Sequence, residues 1–427
     1  MAKAARSTPN DDRPADVDVL VAGAGYVGLA AAVAIRTARP SLKVAVVDAA
    51  PAGVWQRDGR ASAIAAAARR MLESLGAWDE IAAGAEPIVD MVITDTRTAD
   101  PVRPAILTFG GEVSPHESRS GEPFAHMVEN RALNGALRRL AGALKIDLIE
   151  GVAVNGFETH AGHVTVHLAD GLPLAARLLV AADGVRSRLR DMAGIKTVDW
   201  EYGQSGIVCT VAHERPHGGR AEEHFLPAGP FARLPLRDAP DGTHRSSIVW
   251  TERTVDAQRL VEEDPLVFET ELELRFGLKL GNISVMDKPR AWPLGLLLAR
   301  DFVRPRFALA GDAAHGIHPI AGQGLNLGFK DAAALAEVVV EADRLGRDIG
   351  GLDVLEGYQR WRRFDTVQMG VTTDVLNRLF SNDIGPLRSL RTIGLGMVER
   401  MPRLKDFFIA QASGSSESPR LLRGEAI

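Results

Sequence analysis

A chain of 427 residues, 46% hydrophobic and 25% charged, is long enough for two or three domains around a large buried core. Its formal net charge of −5 sets it apart from nucleic-acid binders, which carry a basic domain, so no nucleic-acid partner is expected. Its single cysteine, Cys209, excludes an internal disulfide and a cysteine-rich metal site and fits a reducing compartment such as the cytoplasm.

Residues 1–16 are polar, charged and proline-bearing, without the apolar stretch of a signal peptide, and are expected to form a disordered tail. No apolar run reaches the ~18 residues of a transmembrane helix, so any membrane contact would be peripheral. Val17–Ala22 (VDVLVA) then reads as a buried parallel strand. GAGYVG follows, then the helix former LAAAVAIRTA, Pro40 and a second strand ending at Asp48, which together make a βαβ unit. Gly23-x-Gly25-x-x-Gly28 between strand and helix, with Asp48 about twenty residues on, is the dinucleotide fingerprint in its required context. The glycines allow a tight turn and close approach to a pyrophosphate. The helix start offers unpaired N–H groups, and Asp48 would accept from a ribose.

Arg60–Ile81 reads as helix with a glycine interruption, and 88–120 as short β pieces. Asn130–Leu144 reads as a helix with Asn130 capping its first turn. Strands are expected at 146–149, 152–158, 163–168 and 177–182, the last running into Asp183-Gly184-x-x-Ser187-x-x-Arg190. Residues 200–290 are again β-rich and continue the sheet begun near 88. Phe307–Ala310 is a short buried strand before GDAAHGIHPIAGQGLN, in which Gly311-Asp312 is followed by Pro319 and the loop Gly322–Asn326. Helices are expected over 325–345 and 353–380. Cys209 belongs to a core strand, VEEDPLVFETELE to a solvated helix face, and no spacing of His, Cys, Asp or Glu suggests a metal site.

The fold class expected is α/β. A Rossmann-like domain is assembled from 17–87, 121–199 and 291–345, with an inserted β-sheet substrate domain (88–120 and 200–290). A helical C-terminal region (346–411) and a disordered tail (412–427) follow.

Gly23–Gly28, Asp183-Gly184 and Gly311-Asp312, in this order, resemble the three signatures of the FAD-dependent aromatic hydroxylases of the para-hydroxybenzoate hydroxylase type. Within that group, RASAIAAAARRMLESLGAWDEI, HPIAGQGLNLGFKDAAALAE and RWRRFDTVQMGVTTDVLNRLFSND are similar to the ubiquinone-biosynthesis hydroxylases. The resemblance implies FAD as cofactor, with Asp312 on the ribitol and the N–H groups of Gly324, Leu325 and Asn326 facing the flavin pyrimidine edge. Arg60 and Arg131 would stand beside the FAD. His318, Pro319 and Gly322 would wall the reaction side, and one of His315 and His318 would satisfy backbone groups near the flavin ring. It implies ring hydroxylation of a lipophilic polyprenylated phenol by O₂ through a flavin C4a-hydroperoxide, with NAD(P)H or an external redox protein as electron donor. The implied location is cytoplasmic, peripheral at the inner face of a membrane, with a ubiquinone-making complex as partner.

Two alternatives stand beside this reading: a soluble hydroxylase of a small phenolic acid, and a non-catalytic flavoprotein scaffold. Leu387–Phe408, apolar at near-helical spacing and rich in arginine, is read either as a basic amphipathic element for a membrane or partner or as a helix packed on its own core.

Overall fold

Continuous apolar runs can be satisfied only where both faces of a strand are covered, and the structure covers them that way. In the computed structural model, which describes residues 15–95, 103–110, 122–319, 322–380 and 418–427, Val19, Leu20 and Val21 are fully buried. Strand β1 (Val17–Ala22) pairs in parallel with β2 (Val44–Asp48) on one side and β3 (Pro173–Ala181) on the other. Strand Asp147–Glu150 extends the sheet beyond β2, also in parallel. On the opposite side Phe307–Leu309, called β6 below, joins β3 in parallel. With an antiparallel hairpin and a short edge strand the sheet has eight strands.

Helix α1 (Tyr26–Ala38) buries every residue from Leu29 to Ile35. It packs against α2 (Gln323–Arg344), and small residues set that approach. A Cβ on Gly328 would lie 2.4 Å from Val27 Cγ2, so only glycine fits there.

The second sheet has nine strands. Strand β4 (Thr197–His213) lies between β5 (Arg290–Ala299) and His244–Arg253, antiparallel to both. Gly229–Leu236, Arg220–Leu226, Asp90–Asp95 and Ala105–Gly110 follow outward. Alternation gives this sheet two distinct faces. Ile207, Cys209, Phe231, Ile248 and Trp250 pack on helices Thr254–Glu262 and Pro265–Phe276. Through Ala221 and Leu236 the other face meets a three-stranded sheet that includes Ala61–Ala65 and Ala125–Glu129.

Three sequence expectations need correction. Ala61–Ala65 is a strand, not the start of a helix, because it pairs along its length with Ala125–Glu129; tertiary pairing overrides the helix propensity of alanine. The second sheet extends past residue 290, since all of β5 belongs to it, and β4 begins at Thr197. The terminal tail is not disordered at its end. Arg420–Arg423 is a helical turn with Leu421 and Leu422 buried, held by Arg420 N–H on Glu337 (2.8 Å) and by Arg70 Nε on the Leu422 carbonyl (3.0 Å).

Helix α3 (Leu352–Phe380) packs on α2. Among the described residues no helix is long and apolar enough to cross a membrane. The expected N-terminal tail through residue 14, most of 96–121 and the amphipathic segment Leu387–Phe408 lie outside the described residues.

Candidate functional site

The three motifs meet because they follow three neighbouring parallel strands. Gly23 follows β1, Asp183-Gly184 follow β3 and Gly311 follows β6. Backbone bonds tie the strand ends together: Ala182 N–H donates to the Ala22 carbonyl (2.8 Å) and Ala310 N–H to the Ala181 carbonyl (2.9 Å). The crevice outside the carboxyl ends of such strands is where open α/β sheets bind ligands.

Each fingerprint glycine has its own reason. Gly23 has φ +115°, and a Cβ there would lie 2.2 Å from the Ala182 carbonyl oxygen; one on Gly28 would lie 2.0 Å from the Gly23 oxygen. A Cβ on Gly25 would meet nothing within 4 Å. Gly23 and Gly28 serve the protein's own packing, while the space over Gly25 is open for a ligand. Gly25 is also the N-cap of α1, with no side-chain cap and no acid in the first turn. Its first N–H groups and dipole are left for an anion. Asp48 steadies this turn, accepting from Ala24 N–H (2.5 Å) and Ala50 N–H (2.7 Å), and keeps lone pairs for a ribose.

Helix α2 repeats the arrangement on the other side. Its N-cap is Gly322, left-handed at φ +63°, again without a side-chain cap or acid in the first turn. A Cβ on Gly324 would meet nothing within 4 Å. In a helix capped at Gly322 the N–H groups of Gly324 and Leu325 belong to the first turn, ahead of Asn326, whose N–H is the first with an acceptor inside the helix. Asn326 acts through its side chain, accepting from Ala65 N–H (2.9 Å) and donating to the Ala63 carbonyl (2.9 Å). It clamps the strand that sequence propensity reads as helix.

Asp312 is exposed to solvent in the chain, yet protein surrounds it closely enough that burial pushes its carboxyl above the usual range, opposed by His315 and Arg60. Both hold for a group on the floor of an open cleft. Arg60 forks onto Asp58 (Nε to Oδ1 and Nη2 to Oδ2, each 2.8 Å) and lies 5.2 Å from the Trp292 ring centre. Burial pushes the Asp58 carboxyl up, but bonds from Arg60 and Tyr26 hold it down at about 2. Arg131 stands at the start of helix Asn130–Ala143, paired with Glu129 at 2.7 Å. One and two turns on, Asn134 and Arg138 reach the Ala24 carbonyl (3.4 and 3.5 Å).

Asp183 accepts from Leu189 N–H (3.4 Å), and Gly184 takes φ +87°. Arg190, buried, donates to the carbonyls of both Val185 and Ala313 (3.1 Å each), fastening the second motif to the third.

Comparison with known proteins agrees with this cleft. The model of the FAD binding domain family matches residues 16–363. The chain is 42% identical to ubiquinone hydroxylase UbiL of Rhodospirillum rubrum over 95% of its length and 92% of that protein's. It is 32% identical to 3-demethoxyubiquinol 3-hydroxylase of Escherichia coli (93% of this chain, 98% of that one). The chain belongs to the family of FAD-dependent ubiquinone-biosynthesis hydroxylases. It is an FAD-dependent monooxygenase. The fold is also that of p-nitrophenol 4-monooxygenase PnpA from Pseudomonas putida (TM-score 0.75, 20% identity, 93% of this chain and 98% of that one). Klebsiella pneumoniae HpxO complexed with FAD is similar (TM-score 0.72, 20% identity, 92% and 99%).

For FAD the fit is direct: two uncapped helix starts, two glycines whose Cβ positions are open, and an acid at the end of β2. His318 is fully buried, its ring edge-on to Tyr202 with centres 5.4 Å apart. Burial pushes its imidazole down to about 4, so at neutral pH it is an uncharged wall. Pro319 bonds its carbonyl to Gly322 N–H (2.9 Å), closing the turn before α2. Ile320 lies outside the described residues.

His315 has a different partner from the one expected. Its Nε2–H donates to Asp331 Oδ2 (2.6 Å), which also accepts from Gly311 N–H (2.9 Å), while Asp331 Oδ1 accepts from Arg362 Nε (2.8 Å). Sequence reasoning missed Asp331 and Arg362. This buried cluster fixes the GD loop to both α2 and α3.

A separate cavity of about 600 Å³ opens at the end of the second sheet, with Gln204, Glu252, Arg253 and Asn377 in its wall. Its wall carries the charged Glu252, Arg253, Asp256 and Arg378 and none of the three motifs, so the chemistry is assigned to the cleft.

Proposed function

We propose that this chain hydroxylates the aromatic ring of a polyprenylated phenol in ubiquinone biosynthesis. The observation that carries the reading is the 42% identity to a ubiquinone hydroxylase over 95% of the chain, continuing through the second sheet and past the cofactor motifs. Bound FAD, once reduced by an electron donor, would supply the chemistry that activates O₂ for transfer of one oxygen atom to the ring. Asp312 holds the ribitol. The N–H groups of Gly324 and Leu325 would face the edge where negative charge collects on the reduced cofactor and stabilise it there. His318 and Pro319 wall the reaction side and keep water out. Leu387–Phe408 is proposed to bring the enzyme to an anionic membrane surface where such a lipid resides.

Complementation tests this reading. Wild type is expected to restore ubiquinone in at least one of a set of bacterial strains each lacking a single ring hydroxylase, and Asp312→Ala in none. Quinone intermediates identified by mass spectrometry name the ring position. Soluble, FAD-loaded wild type that rescues no strain would sink the reading.

A further inference from the structure

Glu223 sits on strand Arg220–Leu226, where alternation turns its neighbours Glu222 and His224 to one face and Ala221, Glu223 and Phe225 to the other. Cross-strand register fixes which face is which. Glu223 lies opposite Ala232, Ala232 opposite Val249, and Val249 opposite Val208, with Ile93 on the outer side of Glu223. The residues one step away in this register, Phe231, Ile248, Trp250, Ile207 and Cys209, fill the core against the two helices. The row carrying Glu223 therefore faces the FAD-binding unit.

That row has the character of a site wall. Val208, Val249, Ala232 and Ile93 are each only partly buried, although all are apolar. The acid among them is 4% exposed. Two residues along the strand, Ala221 packs in the cluster that includes Ala63, and a Cβ on Gly322 would lie 3.3 Å from the Ala63 Cβ. The face carrying Glu223 and the glycine loop at the start of α2 thus border the same space.

The charged groups around it are otherwise engaged. Arg220 pairs with Asp90, Glu222 with Arg233 and Lys279 on the opposite face, and His224 with Thr94. On the small facing sheet, His126 packs edge-on against Trp78 and Glu129 pairs with Arg131 and Arg245. Asp95 shares the face beside Phe225 and has an interaction of its own. Arg290 lies at the far end of the row, beyond Val208. No described residue forms a hydrogen bond or ion pair with Glu223, and burial alone acts on it, pushing its carboxyl up to about 7. A buried polar group without a partner is costly, and a phenol is a partner of matching chemistry: a flat apolar ring with one acidic proton.

We propose that Glu223 is the catalytic base that takes the phenolic proton of the substrate. The substrate O–H bond breaks, its electron pair stays on oxygen, and the carboxylate becomes a carboxylic acid that returns its proton to water on product release. The phenolate ring is the richer nucleophile toward oxygen transfer. An acid poised near neutral pH suits this role. The proposal rests on the proposed ring hydroxylation.

The test uses the prenylated phenol that accumulates, before rescue, in the hydroxylase-deficient strain that the wild type restores, purified, with its O-methyl ether as a second probe. Photoreduced enzyme carrying either probe is mixed with aerated buffer, and product is measured in a single turnover over about three pH units centred near 7. Wild type should show a rising limb through about 7. Glu223→Gln should keep its FAD content, melting temperature and binding of the methyl ether, lose that limb, and react roughly 10²-fold or more slowly with the phenol. Glu223→Asp should keep the limb at a reduced rate. A Glu223→Gln enzyme that hydroxylates the phenol within about twofold of wild type, limb intact, overturns the role of Glu223 and leaves the proposed function standing. Wild type that rescues no strain removes both.

Discussion

Asp331→Ala is expected to destabilise the protein by about 3–5 kcal/mol, the usual cost of removing one partner from a buried ion pair. Asp331 is fully enclosed and accepts three bonds at once: from Gly311 N–H, from His315 and from Arg362. Burial alone would raise its carboxyl, but His315 and Arg362 hold it below the usual range. Without it the Arg362 guanidinium keeps, among the described residues, Asp365 (2.7 Å), and the Gly311 N–H loses its acceptor in a dry interior. The loop that presents Asp312 would come loose with the stability, so FAD content should fall as well. Thermal melting and the flavin absorbance of purified protein measure both. A variant that melts with wild type and carries full FAD would contradict this account. The pH sense follows from the depressed pKa. This contribution is present above the unfolded carboxylate range and is lost as pH falls through the folded value.

Gly28→Ala and Gly25→Ala, chemically the same change three residues apart, are expected to fail for opposite reasons. A Cβ on Gly28 would lie 2.0 Å from the Gly23 oxygen, a backbone atom that cannot move without breaking the β1–α1 turn. Gly28→Ala should give misfolded or insoluble protein. At Gly25 the added carbon meets nothing within 4 Å and φ is −73°. Gly25→Ala should fold and melt as wild-type apoprotein does, while binding FAD at least about tenfold more weakly, because the methyl fills the space a pyrophosphate needs. Flavin titration of each apoprotein separates the two. Unaltered FAD affinity in Gly25→Ala would move the cofactor away from this turn.

What could be seen in the sequence was local. The glycine spacing, the apolar runs of β1 and β2 and the acid at Asp48 lie within one βαβ unit, and their geometry follows from residue type. Helix Asn130–Ala143 and helix α2 ended close to where their patterns end. What escaped depended on distant partners. Ala61–Ala65 has helical composition, and its strand state comes from Ala125–Glu129 and from Asn326. Asp331 and Arg362 look like ordinary charges on two polar helix faces until the helices pack and bring them within 2.8 Å. The last residues offer one apolar pair, Leu421-Leu422, too short for periodicity to register.

Glu223 was legible in principle. In Ala221–Phe225 a strand period places one acid between two apolar residues on the same face. The sequence does not say which face looks toward the cofactor, because that depends on the packing of helices thirty or more residues away.

The most direct test of the central claim is oxygen labelling in a rescued strain. Cells carrying the wild-type chain are grown under ¹⁸O₂, and the ring oxygens of the newly made quinone are counted by mass spectrometry. A labelled atom at the ring position missing from the parent strain, and none with Asp312→Ala, is the predicted result. Quinone that lacks label at that position would contradict a flavin monooxygenase acting on the ring.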